Sequence, residues 1–319
     1  MLDRVRATGL LPAGGRVVVL LSGGRDSVCL LGMAVALGAR AEAVHVNYGL
    51  RGADADADEA VCATLCADLG VALAIERVSR PRGASGNLQA WARDVRYGAG
   101  ARRASAADAL LATGHTATDQ AETVLYRLAA SPGRRALLGM QARSGRLVRP
   151  LLGLTREQTA AWCTERGLAW REDASNDADV YARNRVRAAL VPALRAVDPR
   201  AEENVLRTAE LLRDEAEVLD GVVETALAGG DTISLAHLAV LPRALARLVV
   251  RRLAEDATGG LCPRAANRLD DLLALGESRP DGAPGALDLG DGARAELRGG
   301  VLRMVATPPL DRARRRDPI

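Results

Sequence analysis

Val17-Val18-Val19-Leu20-Leu21-Ser22-Gly23-Gly24-Arg25-Asp26-Ser27, followed by Val28-Cys29-Leu30-Leu31-Gly32-Met33-Ala34-Val35, decides the fold of this chain. Five apolar residues run into a glycine turn, and an apolar stretch of helical length runs out of it. That order reads as buried strand, turn, buried helix. Such a turn leaves backbone N–H groups of the first helical turn pointing at one spot, with the positive end of the helix dipole behind them, which makes an anion site. Gly23 and Gly24 let the backbone approach a phosphate, and Ser22 and Ser27 add hydroxyl donors. An ordinary strand-to-helix turn shares these features, so turn chemistry alone leaves both readings standing. A Walker A loop needs a Lys before its final Ser or Thr, and none is present.

Outward from this stretch, strands and helices alternate. Val17–Leu21 leads to a helix over 27–37, Ala43–Val46 to Asp54–Leu69, Ala72–Val78 to about 86–105, and Ala109–Thr113 to 118–129. Short apolar strands separated by helices predict an α/β fold, a doubly wound parallel sheet with both faces covered. Ligands of such sheets bind beyond the carboxyl ends of the strands. Ser22–Ser27, His45–Arg51, the loop near 80–86 and Gly114–Asp119 all fall there. Beyond Pro150 a helix starts after Thr155, a plausible N-cap. A polar loop from Arg171 to Tyr181 follows, then an Arg-rich helix from Arg183. Glu202–Ala228 reads as one long amphipathic connector. Helical segments near 235–255 and 263–275 and three short strands (286–289, 293–297, 301–305) complete the chain, with a disordered tail over 311–319. The expected domains are 1–200 with the anion site, a linker helix over 201–230, and a small domain over 231–319.

Composition sets bounds. With 319 residues, 48% of them hydrophobic but 2% aromatic and no Phe, the core must be built from Leu, Val and Ala. All 43 basic residues are Arg, so every phosphate contact by a basic side chain can be planar and bidentate. A net charge of +3 is too small to argue polynucleotide binding by itself. Five Cys at irregular spacing with no C-x-x-C form neither a disulfide framework nor a zinc or iron–sulfur signature. No apolar run has the length of a membrane span or a signal peptide, so a cytoplasmic protein is expected, without membrane partners.

A second chemical segment is Leu111-Ala112-Thr113-Gly114-His115-Thr116-Ala117-Thr118-Asp119-Gln120-Ala121-Glu122-Thr123. His115 follows a strand, and Asp119 falls in the first turn of the next helix. Acidic residues there are favoured by the dipole alone, yet His115 and Asp119 also face the anion loop. Further on, Arg183, Arg185 and Arg187, with Asn184 among them, make either a solvated face or a wall for phosphates.

Ser22–Ser27 resembles the SGGxDS loop of the ATP pyrophosphatase superfamily, which cleaves ATP between the α and β phosphates. His45-Val46-Asn47-Tyr48-Gly49-Leu50-Arg51, Ala92-Arg93-Asp94-Val95-Arg96-Tyr97, the His115–Thr123 segment, Arg149-Pro150-Leu151-Leu152, Asp173-Ala174-Ser175-Asn176 and Arg183-Asn184-Arg185-Val186-Arg187 follow in order. Together they resemble the tRNA(Ile)-lysidine synthetase family, whose patterns are HVNHGLR, ARxxRY, HHxDDQAET, RPLL and DxSN…RNxxR. The likeness covers about residues 15–195. Three departures stand out. The paired Asp is Thr118-Asp119, the second His of the first motif is Tyr48, and the usual RGSG after the helix is altered to Ala130-Ser131-Pro132-Gly133-Arg134.

The resemblance implies an adenine nucleotide α-hydrolase-like fold and a two-step reaction. ATP adenylates C2 of the wobble cytidine of a tRNA(Ile) with a CAU anticodon, and L-lysine then displaces AMP. It also implies residue roles. Ser22, Gly23, Gly24, Arg25, Asp26 and Ser27 hold the pyrophosphate, and backbone around His45 and Val46 covers the adenine. Asp26 and Asp119 hold Mg²⁺, and Asp26, His115, Asp119 and Arg96 serve catalysis. Either His115 or Asp119 binds the lysine ammonium and accepts its proton. Arg149, Arg183, Asn184, Arg185 and Arg187 contact the tRNA. The oligomeric state is left open, a homodimer included. Two alternatives remain: another enzyme with this loop, such as a tRNA thiolase or an amide-forming synthetase, and a degenerate tRNA or nucleotide binder. Thiolation needs catalytic cysteines, and Cys29 on its apolar helix is a poor one.

Overall fold

The computed structural model describes residues 1–50, 52–81, 87–130, 134–171, 185–279 and 282–307. The chain divides into two units, Met1–Leu212 and Arg213–Ile319.

The first unit opens with a short helix α1 (Leu2–Ala7). It then alternates β1 (Arg16–Leu20), α2 (Arg25–Ala36), β2 (Arg40–Asn47), α3 (Ala53–Leu69), β3 (Ala72–Arg77), α4 (Leu88–Ala106), β4 (Leu110–Ala112) and α5 (Ala117–Ala130). A one-turn α6 (Arg134–Leu137), two-residue strands β5 (Arg143–Ser144) and β6 (Leu147–Val148), and α7 (Arg156–Glu165) follow. A π-helical turn (Val186–Leu190) runs into α8 (Val191–Val197), and α9 (Ala201–Leu227) crosses the division between units.

The sheet order is β3-β2-β1-β4-β6-β5. The pairings of β1 with β2 and β4, β2 with β3, and β4 with β6 are parallel, and the β5–β6 hairpin is antiparallel. Alternation along β1 explains the two covered faces. Val17, Val19 and Leu21 pack with α2, Leu65 and Trp162, whereas Val18 and Leu20 pack with Ala99, Ala104 and Leu111. Helix α7 lies against α2 at Gly32, where an added Cβ would come within 2.8 Å of Leu168 and of the Trp162 ring. That close approach carries the start of α7 to the mouth of the sheet.

The second unit contains β7 (Thr232–Ser234), α10 (Leu235–Val240), α11 (Arg243–Thr258), a 3₁₀ turn (Ala265–Arg268), α12 (Leu269–Glu277), β8 (Gly285–Gly290), β9 (Ala293–Arg298) and β10 (Val301–Ala306). Its sheet, ordered β7-β10-β9-β8, is antiparallel in every pairing. The inward residues Ala293, Ala295, Leu302 and Met304 meet Val249, Val250 and Leu253 of α11. The single helical segment expected over 235–255 is two helices. Pro242 is the N-cap of α11, where its ring and missing N–H end one helix and start the next. The expected tail over 311–319 lies outside the described residues.

Candidate active site

The loop between β1 and α2 closes on itself through its two serines. The Ser22 amide donates to Ser27 Oγ at 3.1 Å, and Ser27 Oγ donates to the Gly24 carbonyl at 2.8 Å. Gly24 caps α2 in an extended conformation without a side-chain cap; the Ser27 amide donates to the Gly24 carbonyl at 3.1 Å, and the Arg25 and Asp26 amides have no acceptor within the helix. The Gly23 carbonyl accepts the Arg171 amide at 3.0 Å, and Arg171 also pairs with Asp58 at 2.8 Å. The polar loop starting at Arg171 is therefore tied to the anion loop at its first residue.

The second wall is the turn before α5. Gly114 lies against the anion loop so closely that a Cβ would stand 2.8 Å from the Asp26 carbonyl and 3.0 Å from the Ser27 nitrogen. Only glycine allows that approach. Thr116 caps α5: its amide and hydroxyl both donate to Asp119 Oδ2 at 2.9 Å, and the Asp119 amide returns to Thr116 Oγ1 at 3.4 Å. The other carboxylate oxygen, Oδ1, receives Arg156 Nη2 at 2.8 Å. Burial opposes the Asp119 charge, but Arg156, the Thr116 amide and His115 outweigh it and hold the carboxyl below its ordinary value. His115 receives or gives a hydrogen bond at Nδ1 with Thr113 Oγ1 at 2.8 Å. Burial pushes its imidazole down to about 4 despite Asp119, helped by Arg149, Arg93 and Arg96. At neutral pH His115 is uncharged.

Helix α7, of which the sequence shows only the start, supplies a third wall. Thr155 forms a capping box with Gln158, as its position suggested. The next residue, Arg156, reaches three carboxylates: Asp119 at 2.8 Å, Asp26 at 3.7 Å and Glu122 at 3.7 Å. One turn later Thr159 donates to Asp26 Oδ1 at 2.5 Å. Thr118, standing where the family motif has an Asp, accepts the Arg156 amide at 3.4 Å and so serves the junction of α5 with α7. The sequence signal for these roles is the charged pair Arg156-Glu157, four residues beyond the RPLL segment. Nothing local shows which carboxylates it meets.

The remaining expected residues divide. His45 is buried and hydrogen-bonds the Leu21 carbonyl through Nδ1 at 2.9 Å, with Cys62 Sγ at 3.3 Å. Its imidazole faces the core, and Val46 is buried beside it. Tyr48 donates to the Ala92 carbonyl at 2.8 Å and tilts against Trp91, with ring centres 5.7 Å apart. Arg149 is buried and donates to the Gln141 carbonyl at 2.7 Å; its Nε is buried outside any hydrogen bond, and the Tyr97 hydroxyl lies against the guanidinium. Burial lowers the Arg149 pKa. Arg96 is half-buried, and its charge acts on both His115 and Tyr48. Arg187 does not stand free for a polynucleotide. It holds Glu122 with Nε at 2.7 Å and Nη2 at 3.3 Å. Arg185 is exposed, and Arg183, Asn184 and the Asp173–Asn176 segment lie outside the described residues.

Among the described residues, no three His, Cys, Asp or Glu side chains form a ready-made metal centre. No described helix is long and apolar enough to cross a membrane.

A family model described as a PP-loop domain matches residues 6–194. The chain is 40% identical over 282 residues to a tRNA(Ile)-lysidine synthase of Thermobifida fusca, covering 85% of each chain. It is 32% identical over 293 residues to a tRNA(Ile)-lysidine synthase of Dehalococcoides mccartyi, covering 84% of this chain and 62% of that one. Among solved structures, a U34-tRNA thiolase from Methanococcus maripaludis with its [4Fe-4S] cluster aligns with TM-score 0.56 and 18% identity, covering 66% of this chain and 77% of that chain. That last likeness concerns the fold alone.

Proposed function

Since the chain belongs to the tRNA(Ile)-lysidine synthase family of PP-loop proteins, we propose that it joins L-lysine to C2 of the wobble cytidine of a tRNA(Ile) with a CAU anticodon. ATP adenylates the base, and AMP and pyrophosphate are the products. The observation that carries this reading is the convergence of the anion loop, Asp26, Asp119 and Arg156 at the mouth of one parallel sheet.

The amides of Arg25 and Asp26, in the first turn of α2, suit the pyrophosphate leaving group, because fixed donors aimed at developing charge need no reorganisation. Backbone near His45 and Val46 is assigned to the adenine. Asp26 and Asp119 fit Mg²⁺ in donor type, being hard carboxylate oxygens that already share one cation, Arg156. They would fill only part of its shell, as is usual where substrate phosphates and water supply the rest. The ion would offset phosphate charge. Asp119 and Glu122 are carboxylates that could receive a lysine ammonium in exchange for part of their contact with Arg156. His115, neutral at working pH, serves as a hydrogen-bond partner for the incoming amine and not as a store for its proton. Arg96 and the buried Arg149, with its idle Nε, suit an anion of the substrate: a tRNA phosphate or the α-phosphate of the adenylate. Exposed Arg185 is assigned to the tRNA backbone.

The test is direct. Purified chain is incubated with ATP, L-lysine and a CAU-anticodon tRNA(Ile) transcript, and the nucleosides are then weighed by mass spectrometry. A lysine-bearing cytidine is expected. Unmodified cytidine at the wobble position overturns the assignment.

A further inference from the structure

Three carboxylates and three guanidiniums meet at the active-site mouth. Asp26 is approached by Arg25 Nε at 3.2 Å and by Arg156 Nε at 3.7 Å. Asp119 is held by Arg156 at 2.8 Å, with Arg187 at 4.0 Å, and Glu122 by Arg187 at 2.7 Å, with Arg156 at 3.7 Å. Arg156 is the member that touches all three acids. Its fit is by charge more than by geometry. One contact is a hydrogen bond and two lie at 3.7 Å, and its Nε is buried without a hydrogen-bond partner. An arginine fixed as a permanent strut commonly satisfies its fork bidentately. Arg187 does so on Glu122, and Arg156 does not.

The two carboxylates that Arg156 joins, Asp26 and Asp119, are those assigned to the divalent ion, so this inference rests on that assignment. A guanidinium and a metal ion cannot both take the same oxygens without strong repulsion. We propose that Arg156 is a positioning residue that stands in for the metal. In the nucleotide-free chain it neutralises Asp26 and Asp119, keeps them aligned, and competes with a free divalent cation, so that a bare ion takes the two oxygens only at high concentration and the ion that arrives with the nucleotide takes them readily. The acids thus stay ordered between turnovers, and a bare ion is disfavoured at an incomplete site. Thr159, bound to Asp26 Oδ1, holds that carboxylate in place during the exchange.

Mn²⁺ alone, titrated into the nucleotide-free chain and followed by loss of the free-ion electron paramagnetic resonance signal, tests this. Wild type is expected to bind weakly. Arg156→Gln is expected to bind at least tenfold more tightly, and Arg156→Lys, which keeps the charge, to remain close to wild type. The tightening should vanish in Arg156→Gln/Asp119→Asn. Equal affinity in wild type and Arg156→Gln, or equal tightening in the Lys and Gln variants, overturns the proposal. Should the Gln variant fail to fold, wild type provides the second measurement. Saturating Mn²⁺ should speed modification of Arg156 by phenylglyoxal, read by peptide mass spectrometry, and an unchanged rate contradicts the exchange. Neither measurement involves lysine or tRNA, so its outcome is separate from that of the lysidine assay.

Discussion

Asp119 divides its two oxygens between two tasks. Oδ2 caps α5 through Thr116, and Oδ1 faces Arg156 and the anion loop. The cap that the dipole favours uses one oxygen, and the other is placed where the proposed chemistry needs it. In Asp119→Asn the amide oxygen can keep the cap, which leaves an NH₂ group against the Arg156 guanidinium. The expected result is a stability loss of about 2 kcal/mol, the scale of one hydrogen bond between charged groups. Lysidine formation should fall about 100-fold or more, as when a preorganised electrostatic group is removed. Urea melts and turnover on the same preparation separate the two effects. His115 makes a pH prediction. Its folded pKa of about 4 lies below its ordinary 6.5, so between those values the unfolded chain binds more protons. Stability should therefore fall as pH drops from about 6.5 to about 4 and change no further through this group below that. Urea unfolding at several pH values checks it, and His115→Gln should flatten the slope over that window.

At the scale of elements, the positions of β1 to β4 and α2 to α5 were legible because each strand is an apolar run bounded by polar or glycine residues. The two-residue strands β5 and β6 carry no such period and were invisible. The break before α11 is set by Pro242, which stands inside an otherwise apolar stretch. The role of α7 was not legible for a deeper reason. Its partners Asp26 and Asp119 lie 133 and 37 residues away in sequence, and no local pattern encodes a meeting across that distance. What sets that meeting is packing at Gly32 and Trp162, and this yields a third prediction. Trp162→Ala should cost about 3–5 kcal/mol as a buried large-to-small change. It should also weaken ATP binding, because α7 carries Arg156 and Thr159. Calorimetric titration with ATP at a temperature where the variant remains folded should give a higher Kd. An unchanged Kd would detach α7 from the nucleotide site.

For the whole molecule, a net charge of +3 gives little general attraction to a polynucleotide, so binding must come from local arginines. Arg187 is held by Glu122, and Arg185, exposed on the same segment, is the arginine proposed to meet a tRNA phosphate. Arg185→Ala should therefore weaken tRNA binding and reduce the slope of log K against log salt by about one. Arg187→Ala should leave that slope nearly unchanged and instead lower turnover, because Glu122 would lose its partner. Filter binding across a salt series distinguishes them. The central claim is that this chain couples nucleotide cleavage between the α and β phosphates to joining of lysine to tRNA. The most direct measurement counts products from α-labelled ATP, labelled lysine and CAU-anticodon tRNA(Ile) in one reaction. One AMP and one pyrophosphate per lysine incorporated is the predicted result; ADP as the main product, or AMP released without any lysine on the tRNA, would contradict it.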